Sequence, residues 1–63
     1  MMTQTEFNDR LAELGLTTAD AARELDVSRY AVMHWKAGRR KVPGVVAIAL
    51  DAVELRRRLE FLT

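Results

Sequence analysis

Thr17–Gly38, TTADAARELDVSRYAVMHWKAG, decides how this chain folds. Its pattern predicts two short amphipathic helices, over about Thr18–Leu25 and about Arg29–Ala37, joined by the turn Asp26-Val27-Ser28. Thr17 is placed to cap the first helix, and Asp20 puts a negative charge at the positive end of its dipole. Ala21, Ala22 and Leu25 are the apolar positions, and the two alanines let the next helix cross closely. Asp26 stands where the chain must turn with positive φ. Glycine does this most easily, but Asp tolerates it better than most residues. Val27 is expected to plug the core beneath the turn. Ser28 caps the second helix, Val32 and Trp35 point inward at i, i+3, and Gly38 stops it. A pair this short cannot bury its own apolar face, so the flanking segments must complete a core around it.

Upstream, Thr3-Gln4-Thr5-Glu6 has capping-box spacing. Phe7, Leu11 and Leu14 follow at i, i+4 and i+7, which predicts a helix over 4–14. Gly15 suits the left-handed residue that ends it, and Leu16 can pack back onto Leu11. Downstream, Pro43 fits the first turn of a long helix over about 43–61. Two apolar stripes run along that helix. Val46, Leu50 and Val53 form one. Ile48, Ala52, Leu55, Leu59 and Leu62 form the other. A helix apolar on two sides has more to bury than one small core can take. A partner explains the surplus, most simply a second copy across a two-fold axis, so the second stripe is the expected dimer interface. The alternative is a frayed, sticky tail.

Sixty-three residues make one domain, which buries only about 60% of its unfolded surface. The chain has no cysteine, so it has no disulfide, thiolate metal site or thiol nucleophile. No apolar run approaches the roughly 20 residues that cross a bilayer. MMTQTEFNDR lacks the features of a signal peptide, so a cytoplasmic protein is expected. Enzymatic readings fail on inventory. There is no Gly-rich phosphate loop and no supported Ser/His/Asp set, and the carboxylates are scattered over outer helix faces. His34, the single histidine, has no partner ligands for a metal. No metal, cofactor or small-molecule ligand is expected.

The net charge of +1 argues nothing, but its distribution does. Residues 1–20 carry Arg10 against Glu6, Asp9, Glu13 and Asp20. Residues 29–41 carry Arg29, Lys36, Arg39, Arg40 and Lys41 with no acid. This is the footprint of a phosphate-binding surface or, more blandly, a solvated basic loop. Arg29, Tyr30, Met33 and His34 occupy the outer face of the second helix of the pair, where a small protein ordinarily places Lys and Glu.

The run Thr18-x-x-Ala21-Ala22-x-x-Leu25-x-Val27-Ser28-x-x-x-Val32-x-x-Trp35-x-x-Gly38, followed by Pro43, resembles the phage repressor/Cro-type (XRE-like) helix-turn-helix regulators over about residues 4–55. Two positions depart from that pattern. Thr18 replaces the usual Gln that opens the first helix of the pair, and Asp26 replaces the turn glycine. The resemblance implies an all-α, lambda-repressor-like DNA-binding domain of four or five helices with a long C-terminal helix. It also implies a transcriptional regulator, a repressor or autoregulator, that binds a near-palindromic double-stranded operator as a homodimer. Such proteins dock the second helix of the motif in the major groove.

Carried over by position, Arg29, Tyr30, Met33 and His34 would read bases. Arg29 can pair bidentately with guanine, and Tyr30 and Met33 can pack on a thymine methyl. Thr18, Ser28, Arg39, Arg40 and Lys41 would hold the DNA backbone. Tyr30 can alternatively fold against the preceding helix as peripheral core, and Met33 can belong to a protein interface. Trp35, in register with Val32, reads as core. Arg56-Arg57-Arg58 reads as a solvated helix face more readily than as a DNA contact. The competing functional reading is a small protein-interaction module, an antitoxin or phage accessory adaptor, that binds its partner through helix 43–61.

Overall fold

The computed structural model describes residues 2–62. Its described residues form four helices and no strand: α1 (Gln4–Glu13), α2 (Thr18–Leu25), α3 (Arg29–Ala37) and α4 (Gly44–Leu62). Each of the first three begins at a hydroxyl. Thr3 Oγ1 accepts the Glu6 amide at 3.1 Å, while Glu6 Oε1 accepts the Thr3 amide at 3.2 Å. Thr17 and Asp20 repeat this reciprocal box at the same two distances. The box follows the same Thr-x-x-acid spacing that Thr3 and Glu6 have in the sequence. Its backbone hydrogen bond from Thr17 holds the Asp20 carboxyl below its ordinary pKa of 3.8. Ser28 Oγ accepts the Ala31 amide at 3.1 Å.

The same three helices end alike, each on a residue in the left-handed region: Gly15 (φ 66°), Asp26 (φ 54°) and Gly38 (φ 76°). At each stop the next amide folds back across the last turn. Leu16 donates to Leu11 O at 2.8 Å, Val27 to Ala22 O at 3.0 Å and Arg39 to His34 O at 2.9 Å. This is the Schellman arrangement, which satisfies carbonyls the helix would leave open. Asp26 thus adopts the glycine-like conformation without being glycine.

These stops fold the helices over one apolar core in which Phe7, Leu50 and Val32 are fully buried. Phe7 meets Trp35 edge to face, with centroids 5.8 Å apart and planes at 88°. Leu11, Leu16, Ala21, Ala22 and Val46 complete it, with Val27 packed against its edge. Val42 is also buried, although it follows three exposed bases, and it anchors the connection into α4.

α4 starts and ends one residue later than the spacing predicts. Pro43 precedes the helix, and its carbonyl accepts the Val46 amide at 3.0 Å. Val46, Leu50 and Val53 face the core, and nothing beyond Val53 on α4 is buried. No helix among the described residues is long and apolar enough to cross a membrane.

Candidate nucleic-acid interface

α3 is held at both ends. Its N-terminus carries the Ser28 cap and no acidic residue in the first turn. The Lys36 carbonyl, in its last turn, accepts from Gln4 Nε2 at 2.9 Å and from Asn8 Nδ2 at 3.1 Å. Two amides of α1 therefore fix where α3 stops. A Cβ on Gly38 would lie 2.5 Å from Gln4 Oε1, so glycine there serves close approach as well as positive φ.

The core-facing side of α3 is Val32 and Trp35, and the opposite side is open. Arg29 is exposed, Tyr30 is 73% exposed and Met33 is 55% exposed. Tyr30 therefore does not fold into the periphery of the core. It lies against His34, with ring centroids 5.7 Å apart and planes tilted by 31°. His34 departs from the expectation of a fully outward face. It is half-buried, and its Nδ1 is buried without a hydrogen-bond partner. Five residues beyond Arg29 is about 140° further round the helix, which carries His34 to the edge of the face. Any contact it makes with a ligand falls to Nε2.

The backbone-holding candidates separate into two groups. Arg39, Arg40 and Lys41 form an exposed loop directly after α3. Thr18 and Ser28 lie at the starts of α2 and α3, and both hydroxyls are already engaged. Ser28 caps α3, while Thr18 Oγ1 accepts from Lys36 Nζ at 3.1 Å. That bond brings an ammonium group from the last turn of α3 to the first turn of α2. Lys36 is the side chain that sequence reasoning left without a role. It counted towards the basic cluster, but no local pattern links residues 18 positions apart.

Among the described residues, the side chains of Arg29, Arg39, Arg40 and Lys41 make no ion pair or hydrogen bond. The other arginines are all engaged. Arg10 reaches Asp51 at 2.9 Å and Glu54 at 3.7 Å, and Arg23 pairs with Asp20. Arg56 binds Glu24, whose hydrogen bond raises its pKa, and also Glu60 at 3.7 Å. Arg57 donates to the Leu14 carbonyl at the end of α1, and Arg58 pairs with Glu54 at 3.2 Å. The Arg56–Arg58 run is thus more than a solvated face, since Arg56 and Arg57 tie α4 to α2 and to the end of α1.

The second stripe of α4, with Ile48, Ala52, Leu55, Leu59 and Leu62, lies on the surface. Val45 extends it, and Phe61 is exposed elsewhere on the helix. Compared with protein-family models, curated proteins and solved structures, the chain has no significant match.

Proposed function

We propose that this chain is a sequence-specific, double-stranded-DNA-binding transcriptional regulator, a repressor or autoregulator with the lambda-repressor-like (XRE-like, Cro-type) helix-turn-helix fold. It acts as a homodimer on a near-palindromic operator. α3 enters the major groove, and Arg29, Tyr30 and Met33 meet base edges, with His34 at the margin. Arg39, Arg40 and Lys41 grip phosphates, together with Lys36 and the hydroxyls of Thr18 and Ser28. Occupying the operator would exclude polymerase or another regulator.

One observation carries this reading. Among the described residues, the Arg and Lys side chains without an intramolecular partner are Arg29, at the start of α3, and Arg39, Arg40 and Lys41, in the loop that follows it, while the other arginines bind carboxylates or, for Arg57, the Leu14 carbonyl. A protein that neutralises phosphates needs cations that are not already neutralised. The exposed aromatic and thioether side chains between them are suited to base edges and poorly suited to plain solvent.

Selection of duplexes from a random pool, with the whole chain as bait, tests the reading. The expected result is a near-palindromic consensus whose half-sites lie about one helical turn, roughly 34 Å, apart. A pool with no consensus, together with no retention of DNA at low salt, would overturn it and favour the adaptor reading through α4.

A further inference from the structure

The exposed face of α4 carries a pattern that specifies how a second copy would sit on it. Val45, Ile48, Ala52, Leu55, Leu59 and Leu62 follow one another at intervals of 3, 4, 3, 4 and 3 residues. This is an uninterrupted a/d heptad seam. Its large members are 55% (Leu59) to 78% (Leu62) exposed, and the core-facing Val46, Leu50 and Val53 lie on the other side of the helix. We infer that α4 pairs with α4 of a second copy as a short antiparallel coiled coil, with Val45 opposite Leu62, Ile48 opposite Leu59, and Ala52 opposite Leu55.

Side-chain volume sets the direction. In the antiparallel register each layer joins a smaller or β-branched side chain to a leucine, so the seam fills evenly. A parallel, in-register pair would stack Ala52 on Ala52 and leave a void in the middle of the seam.

Charge agrees with volume. Asp51 and Arg58 both flank the seam at g positions, which face one another across an antiparallel pair, so the two-fold axis creates the Asp51–Arg58 attraction twice. Asp51 now meets Arg10, and Arg58 meets Glu54 one turn back on its own helix. These are exposed pairs that can be shared. The parallel arrangement would instead need Arg56, which is held by Glu24 on α2 and by Glu60. Antiparallel helices also oppose their dipoles.

The antiparallel register separates the two basic loops as well. The two Val45 residues lie about 26 Å apart along the helix axis, and the Arg39–Lys41 loop of each copy leads into its own end of the pair. A parallel pair would bring both loops together and set like charges against each other. This spacing suits half-sites one helical turn apart. In that comparison alone the inference rests on the DNA-binding reading, and otherwise it stands on α4.

Because the chain has no cysteine, introduced thiols report without interference. Ile48→Cys and Leu59→Cys are made singly, on exposed positions, and helical circular dichroism checks that each variant stays folded. In the antiparallel register identical thiols sit about 16 Å apart along the axis, far beyond the roughly 7 Å between Cα atoms that a disulfide spans. Each variant alone should therefore fail to cross-link under mild oxidation, and an equimolar mixture should cross-link. Asp51→Arg should weaken dimerisation about tenfold in sedimentation equilibrium, and adding Arg58→Asp should restore it.

Self-cross-linking of either single variant as fast as the mixture would overturn the inference. So would an unaltered chain that sediments as a monomer at tens of micromolar, or a charge swap that rescues nothing. All these measurements are made without DNA. A chain that selects an operator yet pairs otherwise refutes only the coiled coil, and an antiparallel dimer that selects no sequence refutes only the DNA reading.

Discussion

α3 and α4 each expose large side chains, but the two surfaces differ in their cations. On α3, Tyr30 and Met33 stand beside bases that no carboxylate among the described residues has claimed. On α4 the exposed seam is aliphatic, and the arginines around it are tied to Glu24, Glu54, Glu60 and the Leu14 carbonyl. Exposure alone would rank the two surfaces together. Pairing separates a surface suited to a polyanion from one suited to another apolar helix, because a cation already neutralised releases few counterions from DNA.

The sharpest test of that contrast lies within α4 itself. Leu50→Ala removes a fully buried side chain and should cost about 2–5 kcal/mol of folding stability in urea denaturation. Leu55→Ala, on the seam, should leave monomer stability within about 0.5 kcal/mol and weaken association instead. Equal losses from the two variants would break the division into core face and outer face.

On α3, Arg29→Ala should cost about 1–3 kcal/mol of discrimination between operator and random duplex. Lys41→Ala should weaken all sequences alike and lower the salt slope by about one. Titrations with specific and non-specific duplexes over a salt series read both. An Arg29→Ala variant with full discrimination would remove base reading from α3.

Gly38→Ala forces a side chain into the left-handed region and against Gln4, and should destabilise the fold by about 1–2 kcal/mol. A thermal melt read by circular dichroism checks it, and an unchanged midpoint would show that α3 does not depend on its clamp to α1.

The smallest effect concerns Asp20, whose pKa is lowered on folding mainly by the backbone hydrogen bond from Thr17. A lowered carboxylate contributes stability above its unfolded pKa and loses it as pH falls through the folded value. Asp20→Asn should therefore flatten the loss of stability below pH 3.8 and reduce stability slightly at neutral pH, as followed by denaturation across an acid series.

The α2–α3 helix pair was legible because each of its signals acts within a few residues. α2 and α3 occupy the ranges that Thr17, Ser28, Asp26 and Gly38 predict, since caps and left-handed stops are three- or four-residue devices. Val42 was not legible, because one aliphatic residue in a basic loop has no periodicity to betray its burial. The half-burial of His34 was hidden for a related reason. Helical phase places it near the outer face, but neighbouring side chains set its depth.

The sequence by itself determined where three helices begin and end, which faces are apolar, and which segment is basic. Those properties follow from backbone chemistry and helical period, which need no partner. Only the tertiary structure decided that Gln4 and Asn8 would cap α3, that Lys36 would meet Thr18, and that Arg56 and Arg57 would be claimed while Arg29 and the 39–41 loop were left unpaired. Long polar side chains find partners within a few ångströms of where helix crossing brings them. That crossing is set by the whole core, which no stretch of a few residues specifies.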